Sequence, residues 1–552
     1  MDWMTQLAQY VPQTPQEAAD KAALQNDVQK YGTAVLERSS PSGSHICCSG
    51  MVLDPTMTQV LLVYHNIYQS FSWTGGHADG ESDFLAVAIR EAQEETGLQQ
   101  VQPLCSAILS IDRLPVKAHI RRGEPVAAHF HDCISFGLLA DPKQPLRIQP
   151  AENSAVCWKP IAELPELCQE PHMLPVYEKL IARMKQVRQE QQAILSQMVA
   201  PLLDWYAIHK RDLPWRKDQN PYHVWISEIM LQQTRVEAVK GYYQRFLTAF
   251  PTIQALAEAD PEQVRKCWEG LGYYTRAKNL QRAAQQILEQ YHGEFPTKHE
   301  EVLSLAGIGA YTAGAICSIC YEQPTPAVDG NVLRVVMRLQ DAFDEIDRPD
   351  VKRAVTEALK TCYPAGKCGM FTQALMELGA LVCVPNGAPH CQECPVAAFC
   401  RSRKQETQAL LPVRKKKAAR RKEQRVVWIL QCGERYAVCQ RPESGLLAGL
   451  WEFPNQLGTM TEAEAIQQAK NWGCKPISIE KTAAKKHIFT HIEWQMFGVY
   501  LTCAAMPEMF VWKTAAELQA ELTLPTAFRQ FLQEEFCLLY TSPSPRDPKT
   551  SR

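Results

Sequence analysis

From about residue 46 to 165, short runs of apolar positions, such as MVLDPTMTQVLLVYH and HDCISFGLLA, are interrupted by one strongly periodic segment, FLAVAIREAQEETG. Alternating or short continuous apolar runs predict strands, and a 3.6-residue period predicts a helix, so this region is an α/β unit. Within the helix, Leu85, Ile89 and Ala92 fall on one face and Glu91, Glu94 and Glu95, spaced i, i+3, i+4, on the other. From about 190 to 380 the pattern becomes helix after helix, as in HVWISEIMLQQTRVEAVKGYYQRFLTAF and PEQVRKCWEGLG. The run RKKKAARRK (residues 414–422), with seven basic residues in nine, reads as a linker. After it, VVWILQCGERYAVCQR and EWQMFGVYLTC restore the strand pattern and predict a second α/β unit to about 537. The Pro/Ser-rich end, TSPSPRDPKTSR, reads as a disordered tail. The expected segments are therefore 1–190, 191–410, a linker at 411–424, 425–537 and a tail at 538–552.

A chain of 552 residues exceeds what one core holds, in keeping with several domains. Apolar residues at 46% with 21% charged fit a globular protein rather than a disordered one. No apolar stretch reaches the roughly 18 residues a membrane span needs, and the start lacks a basic n-region before an apolar run. The expected compartment is the cytoplasm, with no membrane partner. A formal net charge of −2 means that any nucleic-acid contact must come from local basic patches. Twenty cysteines in such a chain suggest thiols or metal ligands more than disulfides; Cys105, Cys133 and Cys317, in apolar contexts, read as core residues.

Three groups carry candidate chemistry. Clustered Glu91, Glu94 and Glu95 repel one another, and a hard divalent cation such as Mg²⁺ relieves that repulsion; it can also bridge a diphosphate and activate water. His129 and His131, two apart on a strand, read as strand-face histidines rather than ligands. In the helical middle, Glu228 sits among Trp225, Ile226, Ile229 and Met230, where desolvation favours the protonated acid. Asp329, placed to cap the helix NVLRVVMRL, meets the positive dipole end, which favours the anion. One neutral acid beside one anion suits cleavage of a glycosidic bond. In GIGAYTAGA (307–315), Gly307 and Gly309 form a turn that offers backbone amides to an anion at a helix start. Finally, Cys383-x7-Cys391-x2-Cys394-x5-Cys400 has the spacing of a compact metal site, with zinc as the generic occupant.

These stretches resemble known families. Gly75-Gly76 followed by Arg90-Glu91-Ala92-Gln93-Glu94-Glu95-Thr96-Gly97-Leu98 resembles the Nudix hydrolase box. The resemblance implies Mg²⁺ at Glu91, Glu94 and Glu95 and a nucleoside di- or triphosphate derivative as substrate. The box has Glu where Ser82 stands, which leaves open whether Glu81 substitutes. RDLPWR, SEIMLQQT, GLGYYTRA, the hairpin and VDGNV together resemble the helix–hairpin–helix DNA glycosylases, and most closely the MutY-type adenine glycosylases. That resemblance implies a multidomain fold: an all-α glycosylase core with an iron–sulfur loop, flanked by two α/β Nudix-type domains. It makes Glu228 the acid, Asp329 the stabiliser of the sugar cation, and Asn331 and Tyr311 their supports. It places Arg216, Gln233, Thr234, Leu271, Tyr273, Gly307 and Gly309 on DNA, with Gln233, Leu271 and Tyr273 entering or propping the duplex. Relatives that also cut the strand carry a lysine where Tyr311 stands, so the resemblance implies a glycosylase that leaves an abasic site. It favours a [4Fe–4S] cluster on Cys383, Cys391, Cys394 and Cys400, although the family's first gap is Cys-x6-Cys.

Gly445 to Pro454, GLLAGLWEFP, resembles the C-terminal Nudix-like domain of the same enzymes, and AEAIQQAKNWGC after it lacks the metal box. Phe489-Thr490-His491 matches the family's loop that reads 8-oxoguanine, with Thr in place of the usual Ser. The implied partner is double-stranded DNA with adenine opposite 8-oxoguanine or guanine, bound by a monomer at the nucleoid. The rival readings are an endonuclease III-like glycosylase/lyase on oxidised pyrimidines and a catalytically silent DNA-damage binding protein.

Overall fold

A computed structural model of the chain describes residues 2–121, 124–415, 419–442 and 444–532. The expected tail at 538–552, and positions 416–418 of the basic run, lie outside the described residues. The chain divides into two compact units: residues 1–210, 328–364 and 373–415, and residues 211–327, 365–372 and 416–552.

The first unit is built on an eight-stranded mixed sheet. Its strands run in the order Asn153–Pro160, Gln59–His65, Ser44–Leu53, His129–Leu139 and Gln102–Pro103, with Ser70–Ser72, Thr74–His77 and Ser110–Val116 paired alongside. Ser44–Leu53 pairs in parallel with His129–Leu139 and is buried at every position, which explains why SHICCSGMVL shows no polar alternation. The glutamate helix, Phe84–Thr96, covers one face through Phe84, Val87, Ala88 and Ala92. Helix Leu174–Gln197 covers the other through Tyr177, Leu180 and Met184. The same helix reaches helix Gly330–Gln340: Gln191 Nε2 donates to Gln340 O at 3.0 Å, and Gln340 Nε2 to Gln191 O at 2.9 Å. Asp341, fully buried, accepts from Ser106 N at 2.9 Å.

An N-terminal helix, Pro15–Tyr31, is fastened to this unit by Glu17. Only 1% exposed, its carboxylate accepts from Arg183 at 2.5 and 2.8 Å, from Lys179 at 2.9 Å and from the Gln13 N–H at 2.8 Å. Burial alone would raise its pKa; the Arg183, Gln13 and Lys179 bonds more than reverse that and hold the carboxyl well below the usual range. Glu17→Gln should cost about 3–5 kcal/mol, because it removes the carboxylate that faces the buried Arg183 guanidinium, although Lys179 keeps Asp112. A carboxyl whose folded pKa is depressed stabilises above its unfolded value and loses that contribution as pH falls. The gap between wild type and Glu17→Gln in denaturant unfolding should therefore be full at pH 7 and narrow below about pH 4.5. A gap that widens on acidification would contradict this assignment.

The second unit holds helices between 211 and 327 and a seven-stranded sheet. Its strands run Trp451–Glu452, Arg435–Gln440, Arg421–Cys432, Ile492–Cys503 and Pro476–Ile488, with Asn455–Leu457 and Val511–Thr514 paired alongside. Arg421 opposes Ile492 in parallel register, so residues 421–424, read as linker from sequence, open a strand. The sheet domain is tied to the helices by three contacts. Thr523 Oγ1 donates to Glu262 at 2.8 Å, Lys266 donates to Leu522 O at 2.9 Å, and Arg529 pairs with Glu269. Among the described residues, no helix is long and apolar enough to cross a membrane.

Candidate active sites and nucleic-acid interface

Helix Pro221–Leu231 starts with Pro at its first position and Asn220 as cap, accepting from Tyr222 N at 2.9 Å. Every residue from Val224 to Met230 is buried. Glu228, 5% exposed, is therefore a carboxyl in an apolar helix, as its neighbours in sequence predict. Its bonded partner comes from helix Ala310–Tyr321, where Tyr311 Oη donates to Glu228 Oε2 at 2.8 Å. Gly314 of this helix has no side chain, which lets the segment after the helix approach it: a Cβ there would stand 2.4 Å from Pro326 O. Gly309 caps the start of this helix without a side-chain acceptor, and Gly307 has φ +76°, a conformation glycine adopts freely. The first helical N–H groups are thus left for an anion.

Two exposed turns stand beside Glu228. Gln233, exposed at φ +59°, follows the glutamate helix; Tyr273, 40% exposed at φ +47°, follows Gly270 and Gly272. Both are L-residues in the left-handed region, where backbone strain of order 1–3 kcal/mol collects at functional turns. Arg276 holds the turns together. Its Nη1 donates to Ile229 O at 2.6 Å and Gln232 O at 2.8 Å, and its Nη2 to Leu271 O at 3.2 Å and Gly272 O at 3.0 Å. Sequence reasoning quoted Arg276 within GLGYYTRA and gave it no role; no local pattern marks an arginine that pairs with four carbonyls. Leu271, expected to enter or prop the duplex, is 3% exposed and packs beneath the turn. Thr234 is half-buried with Oγ1 3.4 Å from Gln232 O, and Arg216 is half-buried on the turn Pro214–Arg216.

Phe489, Thr490 and His491 form the tip between strands Pro476–Ile488 and Ile492–Cys503. Phe489 packs edge-on against Trp494 and His487, and Thr490 and His491 are exposed. Thr490 Oγ1 lies 2.6 Å from Tyr273 Oη, which brings the lesion-loop candidate to the turn beside Glu228.

In the first unit, Asp329 caps helix Gly330–Gln340. Its Oδ1 accepts from Asn331 N at 2.9 Å and Val332 N at 2.8 Å, and its Oδ2 from Asn331 Nδ2 at 2.8 Å. Three donors at the helix N-terminus fix this carboxyl group in place. Arg334 then links Asn331 Oδ1 (3.0 Å) to Gly379 O (2.8 Å) and Cys383 O (2.8 Å). One turn on, Arg338 Nη1 lies 3.4 Å from Cys383 Sγ and 3.0 Å from Val384 O.

Cys383, Cys391, Cys394 and Cys400 line one cavity together with Arg338, Val335 and Leu378. Burial and then the neighbouring thiols push Cys394 up to about 12. Four thiols beside a buried guanidinium form a donor set for a cationic metal group.

The Nudix-like carboxylates are also partly assembled. Asp83 caps helix Phe84–Thr96 and Gly97 ends it at φ +75°. Glu91 lies against Gly76, where a Cβ would come within 2.3 Å of its carboxylate. Glu95 is 7% exposed with Oε2 unpaired. Burial, and then Glu94, raises Glu91 to about 7; burial, and then Glu91, raises Glu95 well above the usual range. An orphaned oxygen and two carboxyls reluctant to ionise fit a divalent cation. Glu94 stands at the rim, its side chain 62% exposed, 4.0 Å from Arg90. Glu81 pairs with Arg90 at 2.8 Å, so it orients the arginine instead of facing Glu91 freely.

A buried acid under a tyrosine hydroxyl, a glycine hairpin and a capped aspartate define a helix–hairpin–helix base-excision protein. Residues 226–361 match the HhH-GPD superfamily of base excision DNA repair proteins, and residues 45–181 and 425–534 each match the NUDIX domain. The adenine DNA glycosylase of Mus musculus is 35% identical over 397 residues, covering 61% of this chain and 74% of that protein. That of Rattus norvegicus is 34% identical over 360 residues, covering 54% of this chain and 70% of that protein. The chain belongs to the adenine DNA glycosylase family. The Arabidopsis thaliana member is 37% identical over 352 residues, and the match spans 54% of this chain but only 55% of that protein's length. Among solved structures, a thermostable thymine-DNA glycosylase aligns over 40% of this chain and 98% of its own, at 25% identity and a TM-score of 0.35.

Proposed function

We propose that this chain removes adenine opposite 8-oxoguanine or guanine from double-stranded DNA and leaves an abasic site. The observation that carries this is the pair Glu228–Tyr311. The tyrosine hydroxyl donates to Glu228 Oε2 and so orients the carboxyl that carries the transferable proton. In the reaction, that proton passes to the extruded adenine as the C1′–N9 bond breaks and its electron pair leaves with the base. Asp329, held in position by Asn331 and the helix start, stabilises the cation at C1′. Water then adds to C1′ and returns its proton to Glu228. A phenol at position 311 has no amine to form a Schiff base, so strand cleavage is not part of the cycle.

Around this centre, the amides after Gly307 and Gly309 hold a phosphate, Gln233 and Tyr273 act at the flipped nucleotide, and Phe489, Thr490 and His491 read the opposite base. The four cysteines hold a [4Fe–4S] cluster whose part is to fasten loop 383–400 to the helix behind Asp329. The domains divide at about 1–190, 191–410 and 425–537, and the protein acts as a monomer at the nucleoid. Glu91 and Glu95, with Glu94 at the rim, would hold Mg²⁺, which would supply charge stabilisation for cleavage of a nucleoside di- or triphosphate derivative, 8-oxo-dGTP among the candidates.

The test is adenine release from A·8-oxoG, A·G and A·T duplexes by wild type and Asp329→Asn. Release should be fast on the first, slower on the second, minimal on the third, and lost in the variant. Borohydride should trap no stoichiometric enzyme–DNA adduct. Trapping on an adenine substrate, or equal rates on all three duplexes, would favour the lyase or a different specificity.

A further inference from the structure

The sheet face turned away from Glu91 carries a second set of donors. Parallel pairing of Ser44–Leu53 with His129–Leu139 sets His45 opposite His131, and antiparallel pairing with Thr74–His77 sets Cys47 opposite His77. Side chains alternate along strands, so these residues share a face with His129. Ile46, Cys48 and Ile134 pack with the glutamate helix on the opposite side. The ligand atoms of His45, Cys47, His77 and His131 all lie within 4.8 Å of one another. The His45 ring stands 4.9 Å from that of His77 and 4.8 Å from that of His131. His45 is 5% exposed, and its Nε2 has no hydrogen-bond partner. Such an orphan costs of order 1–3 kcal/mol and calls for an unseen partner. A hydrophobic core gains nothing from gathering four imidazoles and a thiol at one strand edge. Arg38 lies near, and two 2.7 Å bonds to Asp79 offset its charge.

We propose that His45, Cys47, His77 and His131 bind a late first-row divalent ion, zinc being the commonest, through three imidazole nitrogens and one thiolate. Binding displaces the Cys47 proton to solvent, and the Sγ lone pair forms the bond to the ion. The donor types separate this site from the carboxylates: imidazole and thiolate select zinc-like ions, and Glu91 and Glu95 select Mg²⁺. His129 stands just outside. Its Nδ1 is 2.8 Å from Ala127 O and its Nε2 is 3.1 Å from His131 Nε2, so it positions the His131 ring.

The experiment is titration of the chelator-treated full chain with Co²⁺, followed by visible and near-ultraviolet absorption. Wild type minus Cys47→Ser should show a thiolate-to-cobalt charge-transfer band, tetrahedral visible bands and one ion per chain. Cys48→Ser, on the other face of the same strand, and Cys400→Ser should keep that increment. His77→Gln, at a half-buried strand end, tests the site without disturbing the core and should lose the same bands. His129→Ala should weaken binding about 10–100-fold. The assignment is overturned if Cys47→Ser and His77→Gln give the wild-type cobalt spectrum and stoichiometry.

Discussion

Replacing Glu228 with Gln should slow adenine release by about 10²–10⁴-fold, the range for loss of a positioned general acid. This corresponds to about 3–5 kcal/mol of transition-state stabilisation. The amide keeps the shape of the side chain, and its oxygen still accepts from Tyr311 Oη, which donates at 2.8 Å in the wild type. Only the transferable proton is lost. Duplex affinity should therefore stay within a few-fold, since the turns at Gln233 and Tyr273 and the amides after Gly309 are untouched. Single-turnover release from an A·8-oxoG duplex, with binding measured separately, distinguishes the two effects. A variant that releases adenine at the wild-type rate would remove Glu228 from the chemistry. A variant that loses binding in parallel would show a structural role instead.

What could be read from the sequence was what is local in the chain. Ser227 to Thr234, the Gly-x-Gly hairpin and the Asp329 cap are each short segments whose chemistry follows from neighbours within one helical turn. The structure finds Glu228 buried and Asp329 at its helix N-terminus as that reasoning expects. Four contacts that matter more to the site were invisible for one common reason. Tyr311 with Glu228, Arg276 with the carbonyls of both turns, Tyr273 with Thr490, and Arg334 with Cys383 are each set by tertiary packing. Thr490 lies 217 residues from Tyr273, a separation that no period or motif spans.

Other features have the same origin. In GLGYYTRA the turn through Gly270 at φ +100° and Gly272 at φ +69° directs Leu271 inward and leaves Tyr273 exposed. His129 and His131 are strand-face histidines of His129–Leu139, and that strand alone supplies two imidazoles. It is the parallel register with Ser44–Leu53, more than 80 residues upstream, that adds His45 and Cys47 to them. The start of strand Arg421–Cys432 was hidden by its charge: Arg421, Lys422 and Glu423 look like linker, and only pairing with Ile492 to Trp494 makes them strand.

The second large effect separates the two chemistries. Glu95→Gln, or removal of divalent cation with EDTA, should abolish hydrolysis of nucleoside diphosphate derivatives by about 10³-fold or more. The cation's stabilisation of charge on the phosphates amounts to several kcal/mol, and each 1.4 kcal/mol is about tenfold in rate. Glu95 is the sharper probe because it is 7% exposed with an unpaired Oε2, and an amide there cannot neutralise the cation. Glu91→Gln should act in the same direction, and Glu94→Gln less, since its side chain is 62% exposed at the rim. Adenine release from A·8-oxoG should persist in all three variants, because Glu228 and Asp329 complete that reaction with a proton and a carboxylate. Conversely, Glu228→Gln should leave phosphate release intact. The measurement is release of phosphate or pyrophosphate from a panel including 8-oxo-dGTP and unmodified nucleotides, beside the duplex assay on the same preparations. Hydrolysis that survives both EDTA and Glu95→Gln would show that the ordered glutamates are a charged helix face and nothing more. Loss of adenine release in Glu95→Gln, with the fold intact, would instead mean that the two activities are coupled through the chain.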